Sequence, residues 1–167
     1  MTRRIFAVCL LALAAVTAHA AELRPWRGGP LPLFELRDLE GRTYRLSDYH
    51  GTVVLVNFWA TWCEPCRDEM PSIQRLKQKF AGQPFAVLAV NVGEPEARIR
   101  KFLGQMTLEF PVLLDSEMSV TRSWQARILP ASFLVGRDGH IRYSLVGELD
   151  WTSERVVNIV SGLIGAK

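Results

Sequence analysis

Two cysteines separated by two residues, Cys63-Glu64-Pro65-Cys66, concentrate the reactive side chains of this 167-residue sequence. Thiol–disulfide exchange needs a thiolate to attack, a second thiol to release the mixed disulfide, and a surface on which a partner chain can dock. The pair supplies the first two. Pro65 suits the first turn of a helix, where its missing N–H is no loss. Cys63 is therefore expected at a helix N-terminus, where unpaired N–H groups and the macrodipole favour its thiolate. Cys66, one turn further in, is expected to be more buried and to act as the resolving thiol. Competing chemistries are few. A Cys-x-x-Cys pair is also half a zinc site, but the sequence has no second pair. Its histidines beyond residue 20 are His50 and His140, read as a solvated turn and strand residue. A peroxidatic cysteine wants a Pro and a Thr ahead of it; Thr61 is there and the Pro is not. A copper-binding assembly module, with Cys63 and Cys66 as ligands, stays open as the alternative function.

The elements that must position this pair are legible around it. Thr52 to Trp59 is a dense β-branched and apolar run, the pattern of a strand covered on both faces and hence central. The helix that Pro65 starts is expected to run to about Phe80, with Met70, Ile73, Leu76, the stem of Lys77 and Phe80 on one buried stripe. Gly82-Gln83-Pro84 ends it. Phe85 to Val92 reads as a second buried strand, which makes a right-handed parallel unit. Glu94 to Met106 reads as a helix, Phe110 to Leu114 as a strand and Ser116 to Gln125 as a short helix. Ala131 to Val135 and His140 to Val146 flank Gly136-Arg137-Asp138-Gly139, a strong hairpin signal. Thr152 to Ile164 closes the chain as a helix capped by Asp150 or Thr152. Upstream, Leu33 to Leu36 and Thr43 to Leu46 form extended stretches around the turn Asp38-Leu39-Glu40-Gly41. The fold class is α/β: a central mixed sheet with a parallel core, an antiparallel hairpin at one edge and helices on both faces.

The first twenty residues are of another kind. Arg3 and Arg4 precede an apolar run from Ile5 to Val16, and Ala18-His19-Ala20 supplies a small-x-small cleavage pattern, so residues 1–20 read as a signal peptide. The run is short against the roughly 20 residues a bilayer span needs; an uncleaved membrane anchor is the alternative. Residues 21–32 form a leader whose prolines and glycines forbid regular structure. Removing residues 1–20 takes the formal charge from +3 to +1, so the basic sequence pI is no argument for nucleic acid or lipid binding. It also removes Cys9, and leaves Cys63 and Cys66 as a pair too close together to staple an exported fold. With hydrophobic residues at 49% and charged residues at 22%, the rest suffices for one self-standing domain.

Val56-Asn57-Phe58-Trp59-Ala60-Thr61-Trp62-Cys63-Glu64-Pro65-Cys66 resembles the active-site stretch of the thioredoxin superfamily, in particular its TlpA/ResA/DsbE-like branch of exported thiol-disulfide oxidoreductases. Phe34-Glu35-Leu36 through Gly41 to Leu46 resembles the extra N-terminal hairpin of that branch. Ala89-Val90-Asn91-Val92-Gly93-Glu94 resembles its second strand and turn, and Leu129-Pro130-Ala131-Ser132-Phe133-Leu134-Val135 its cis-proline loop and following strand. The resemblance covers residues 33–167 and implies a thioredoxin-like fold with the added hairpin and a helix-strand insertion. It also implies a periplasmic, monomeric protein that works without cofactor or metal. Its partners would be protein dithiols and disulfides, apocytochrome c or an oxidase copper site among them, and a membrane-embedded thiol donor. Catalytic parts fall on Cys63, Cys66, Glu69 and Pro130, with substrate contact at Trp62, Glu64, Pro65 and Leu129. Trp62 would pack beside the nucleophile, and Pro130, through a cis peptide bond, would face Cys63 and offer backbone to a substrate strand.

One departure from thioredoxin bears on mechanism. Where thioredoxin keeps a buried Asp, this chain has Asn57, which cannot take up a proton. Glu69, three residues after Cys66, is the candidate for that task; a half-exposed, solvated helix carboxylate is the other reading. Glu64 places negative charge between the cysteines with no basic residue there to offset it, which opposes the thiolate and favours a reductant; Arg67 pulls weakly the other way.

Overall fold

The computed structural model describes residues 21–30 and 32–166, so the expected signal peptide, residues 1–20, lies outside the described residues. The strands are β1 (Arg24–Pro25), β2 (Glu35–Asp38), β3 (Thr43–Arg45), β4 (Val53–Trp59), β5 (Phe85–Val92), β6 (Val112–Asp115), β7 (Ala131–Val135) and β8 (Ile141–Val146). The helices are α1 (Glu64–Lys79), α2 (Glu96–Leu103), α3 (Ser119–Ser123) and α4 (Glu154–Gly165). All eight strands form one mixed sheet in the order β1-β8-β7-β4-β5-β6-β2-β3. Its centre is parallel (β4, β5 and β6), as the two buried runs joined by a helix demand. Antiparallel pairs flank it on both sides: β7 and β8 on one, the β2–β3 hairpin on the other.

Strand β4 is buried at all seven positions, and its side chains divide between two cores by the two-residue period of a strand. Val54, Val56 and Phe58 join the cluster containing Trp124 of the α3 side and Phe133. Val53, Leu55 and Trp59 face the opposite way, into the cluster built with Met70, Ile73 and Leu76 of α1 and with Trp151, Val156 and Val160. Asn57 falls on that second, α1-facing set of positions. It is the one polar residue in the strand.

Several boundaries differ from expectation. The leader is not wholly irregular: β1 pairs with β8 at the sheet's edge, where a proline costs no ladder hydrogen bond. Helix α2 is shorter than the Glu94–Met106 run, opening after Pro95 and stopping at Gly104, while Glu94 turns inward. Helix α4 has Ser153 at its N-cap, not Asp150 or Thr152; Asp150 Oδ1 instead accepts from the N–H and hydroxyl of Thr152 at 2.9 and 2.6 Å.

Candidate active site

The chain leaves β4 at Trp59, turns through Ala60-Thr61-Trp62, and enters α1 with Cys63 as the N-cap. The Cys63 N–H donates to Ala60 O at 3.2 Å, and Cys63 Sγ accepts from the Cys66 N–H at 3.3 Å. Cys63 and Cys66 form a disulfide. Cys66 is fully buried and Cys63 is 6% exposed, so the sulfur at the helix start is the reachable one. A sulfur placed to accept a first-turn N–H at the positive end of the helix is stabilised as a thiolate once reduced. Glu64 and Pro65, in the first turn, are exposed.

The turn before Cys63 is held from a second strand. Glu94, just past β5, is 4% exposed. Its Oε2 accepts the Thr61 N–H at 2.6 Å and the Asn91 Nδ2 at 2.9 Å, and its Oε1 accepts the Thr61 hydroxyl at 2.6 Å. Charge-assisted bonds of this kind are the strong ones, and here they fix the backbone two residues ahead of the nucleophile.

Glu69 is 1% exposed, which overturns the half-exposed, solvated reading. It lies on the buried face of α1 one turn beyond Cys66. Three donors converge on its carboxylate: Asn57 Nδ2 on Oε1 at 2.8 Å, Trp151 Nε1 on Oε2 at 3.1 Å and Leu149 N on Oε2 at 3.3 Å. Burial is the dominant influence on its proton affinity and pushes it up from 4.5 to about 7, against the pull of those three bonds; Glu148 nearby adds to the rise. Asn57 Nδ2 also donates to Ser132 Oγ at 2.9 Å, as the register Asn57↔Ser132 between β4 and β7 requires.

The Leu129–Pro130 peptide bond is cis, as the resemblance implied. The Pro130 carbonyl accepts from the N–H of Gly147, the residue that follows β8, at 2.9 Å. Among the described residues the Leu129 N–H and carbonyl have no backbone partner, and its side chain packs against the cluster that contains both cysteines. Trp62, which directly precedes Cys63 in the turn into α1, is 64% exposed. Ile128 and Val146, at 65% and 58%, are exposed at the same end of the sheet, since β4 ends there, β7 begins there and Ala131 pairs with Val146.

Glu94, Thr61, Ser132 and Trp151 were not read from the sequence as parts of the site. The polar interruptions in buried strands, Asn57 and Asn91 above all, were the available signal, since a buried amide demands partners.

Residues 28–144 match the model of the AhpC/TSA family. The chain is 40% identical over 122 residues to the thiol-disulfide oxidoreductase ResA of Geobacillus thermodenitrificans, covering 73% of this chain and 70% of that one. Among solved structures, one assigned as a thiol:disulfide interchange protein DsbE from Chlorobium tepidum superposes with a TM-score of 0.77 at 32% identity, over 86% of this chain and all of that one. A secreted thiol-disulfide isomerase from Corynebacterium glutamicum gives 0.73 at 26% identity, over 81% and 86%. With a thioredoxin-like sheet, a Cys-x-x-Cys disulfide capping its first long helix and a cis-proline loop beside it, the chain belongs to the AhpC/TSA family and is a ResA-like thiol-disulfide oxidoreductase.

Proposed function

We propose that the chain is an exported reductase of selected cysteine pairs, with Cys63 as nucleophile, Cys66 as resolving thiol and Glu69 as the group that takes the Cys66 proton. The observation that carries this reading is a helix-capping cysteine followed, two turns on, by a buried carboxylate whose proton affinity lies near neutrality. In the reduced protein, the Cys63 thiolate attacks one sulfur of a substrate disulfide. The other substrate sulfur leaves as a thiolate and is protonated. Cys66 then passes its proton to Glu69 and attacks Cys63 Sγ, which releases the second substrate thiol and leaves the Cys63–Cys66 disulfide. Two electrons pass to the substrate, and a membrane-embedded dithiol restores the reduced pair. Leu129 offers backbone to the substrate strand, and Trp62 and the exposed first turn with Glu64 and Pro65 bound the mouth of the site.

Haem-attachment cysteines of apocytochrome c are the leading substrate, and an oxidase copper site the next. The basic and apolar start of residues 1–20 supports export to the periplasm, as does the likeness to a secreted isomerase. A Cys66→Ser variant tests the reading, because it stops at the mixed disulfide and captures the partner for mass mapping. Recovery of cytochrome or oxidase cysteines bears it out. A redox midpoint near the roughly −120 mV of DsbA, rather than near thioredoxin's, would sink the reductase direction.

A further inference from the structure

The polar network behind the disulfide contains one unpaired atom that the exchange steps leave unused. Asn57 is fully buried, and its Nδ2 serves two partners, Glu69 Oε1 and Ser132 Oγ, while its Oδ1 has none among the described residues. A buried amide oxygen without a partner costs free energy, so its orientation needs a reason. The reason lies in which partners of Glu69 can change. Trp151 Nε1 and Leu149 N, which serve Oε2, are a ring N–H and a backbone N–H. Neither can become an acceptor. A proton placed on Oε2 would compete with two donors and displace at least one of them. Among the described residues, Oε1 has one hydrogen-bond partner, the side-chain amide of Asn57, which presents a donor at one end and an acceptor at the other.

We infer that Asn57 is the positioning residue that lets Glu69 hold a proton, and that it does so by turning its amide over, so that Oδ1 accepts from a proton on Glu69 Oε1. Ser132 follows the change. With Glu69 ionised, its hydroxyl oxygen accepts from Nδ2; after the turn, its O–H donates to Oδ1. Each state keeps two hydrogen bonds at Asn57: the unpaired Oδ1 of the ionised state becomes the acceptor of the protonated one, and Nδ2 takes over the unpaired place. The proton thus sits at a defined atom, on the β4 side of the carboxyl, while Oε2 goes on holding the segment that joins β8 to α4. The groups that act on Glu69 are local: β4 contributes the uncharged Asn57, bonded in turn to Ser132 of β7, and the β8–α4 segment contributes Leu149, Trp151 and the charged Glu148, while Cys66 precedes it by one turn of α1.

This inference deepens the proton-handling reading of Glu69 and rests on it, but its test separates the two. In the oxidised full-length protein, the Glu69 carboxyl carbon and the Asn57 side-chain amide are followed by NMR from about pH 5 to about pH 9, which brackets a raised carboxyl. The Asn57 amide protons should show cross-relaxation to the Ser132 β-protons above the Glu69 midpoint and lose it below, at the same midpoint. Cross-relaxation that persists on both sides of the carboxyl titration overturns the inference, as does a carboxyl that stays in one state throughout. In exchange kinetics, Asn57→Val leaves a proton on Oε1 without an acceptor and should slow the resolving step about tenfold, with a changed pH profile. A wild-type rate and profile in Asn57→Val overturns the role of the amide, whereas a wild-type rate in Glu69→Gln overturns the reading beneath it.

Discussion

Replacing Glu69 with Gln in the oxidised protein isolates the energetic consequence of burying a carboxyl behind the disulfide, because no thiol titrates in that state. The folded group binds its proton up to about pH 7, whereas in the unfolded chain it releases it near 4.5. Between those values the unfolded state carries fewer protons than the folded one, so stability falls as pH rises. The contribution is fully present below 4.5 and lost by the time pH passes about 7. At about 1.4 kcal/mol for each tenfold change in proton affinity, the interval amounts to about 3 kcal/mol.

Gln reproduces the protonated carboxyl: its Oε1 can accept from Trp151 and Leu149, and its Nε2 can donate to a turned Asn57 Oδ1. Glu69→Gln should therefore fold, and its stability should lack the wild-type decline. Urea denaturation of both proteins at a series of pH values, with the difference between them plotted, measures this directly, since every other titrating group is common to both. The difference should grow by about 3 kcal/mol in favour of Gln from pH 4.5 to above 7. Parallel curves would mean that Glu69 is ionised at its ordinary pH, and the account of its burial would be wrong.

Three further outcomes are expected. In the reduced native protein, Cys63 should be alkylated first and Cys66 protected, as their exposures of 6% and 0% dictate; mass mapping that finds Cys66 modified first would reverse their roles. Glu94→Ala strips the acceptor from the Thr61 N–H, the Thr61 hydroxyl and the Asn91 amide, and should cost about 2–4 kcal/mol in urea denaturation. A loss below about 1 kcal/mol would show that the turn before Cys63 holds itself. Trp62→Ala should leave stability within about 0.5 kcal/mol, since the side chain is 64% exposed. Its exchange with a protein disulfide should slow more than its exchange with a small aromatic disulfide, and equal slowing would remove Trp62 from the docking surface.

What could be read from the sequence was whatever local pattern decides. The buried run of β4, the proline-started α1 with its stripe of Met70, Ile73, Leu76 and Phe80, and the β7–β8 hairpin are each set by period or turn chemistry within one stretch. The thiol pair at the strand-to-helix junction follows from them. Settings made across the fold were hidden. Glu69 looks like a surface residue of α1 until Leu149 and Trp151, 80 and 82 residues away, close over it. Glu94 looks like a helix opener until Thr61, 33 residues earlier, turns it inward. Trp62 was placed beside the nucleophile by the resemblance, and no local pattern sets its 64% exposure.

The burial of Glu69 links stability to chemistry with one displacement. An ordinary carboxyl at 4.5 would take a proton from an ordinary thiol near 8.5 only at a cost of about 5 kcal/mol. Raised to about 7, it does so for about 2 kcal/mol, a difference of the same size as the stability lost above neutral pH. The equality is required, since both quantities are the same change in proton affinity seen from two reference states. On the proposed role of Glu69, a substitution which stabilises the oxidised fold at pH 8 by improving the solvation of ionised Glu69 should slow the resolving step. One that stabilises the protein through the opposite core, around Phe58, Trp124 and Phe133, need not. On that reading, the trade between stability and activity set by Glu69 lies on the α1-facing side of β4, where Asn57 interrupts an otherwise apolar strand.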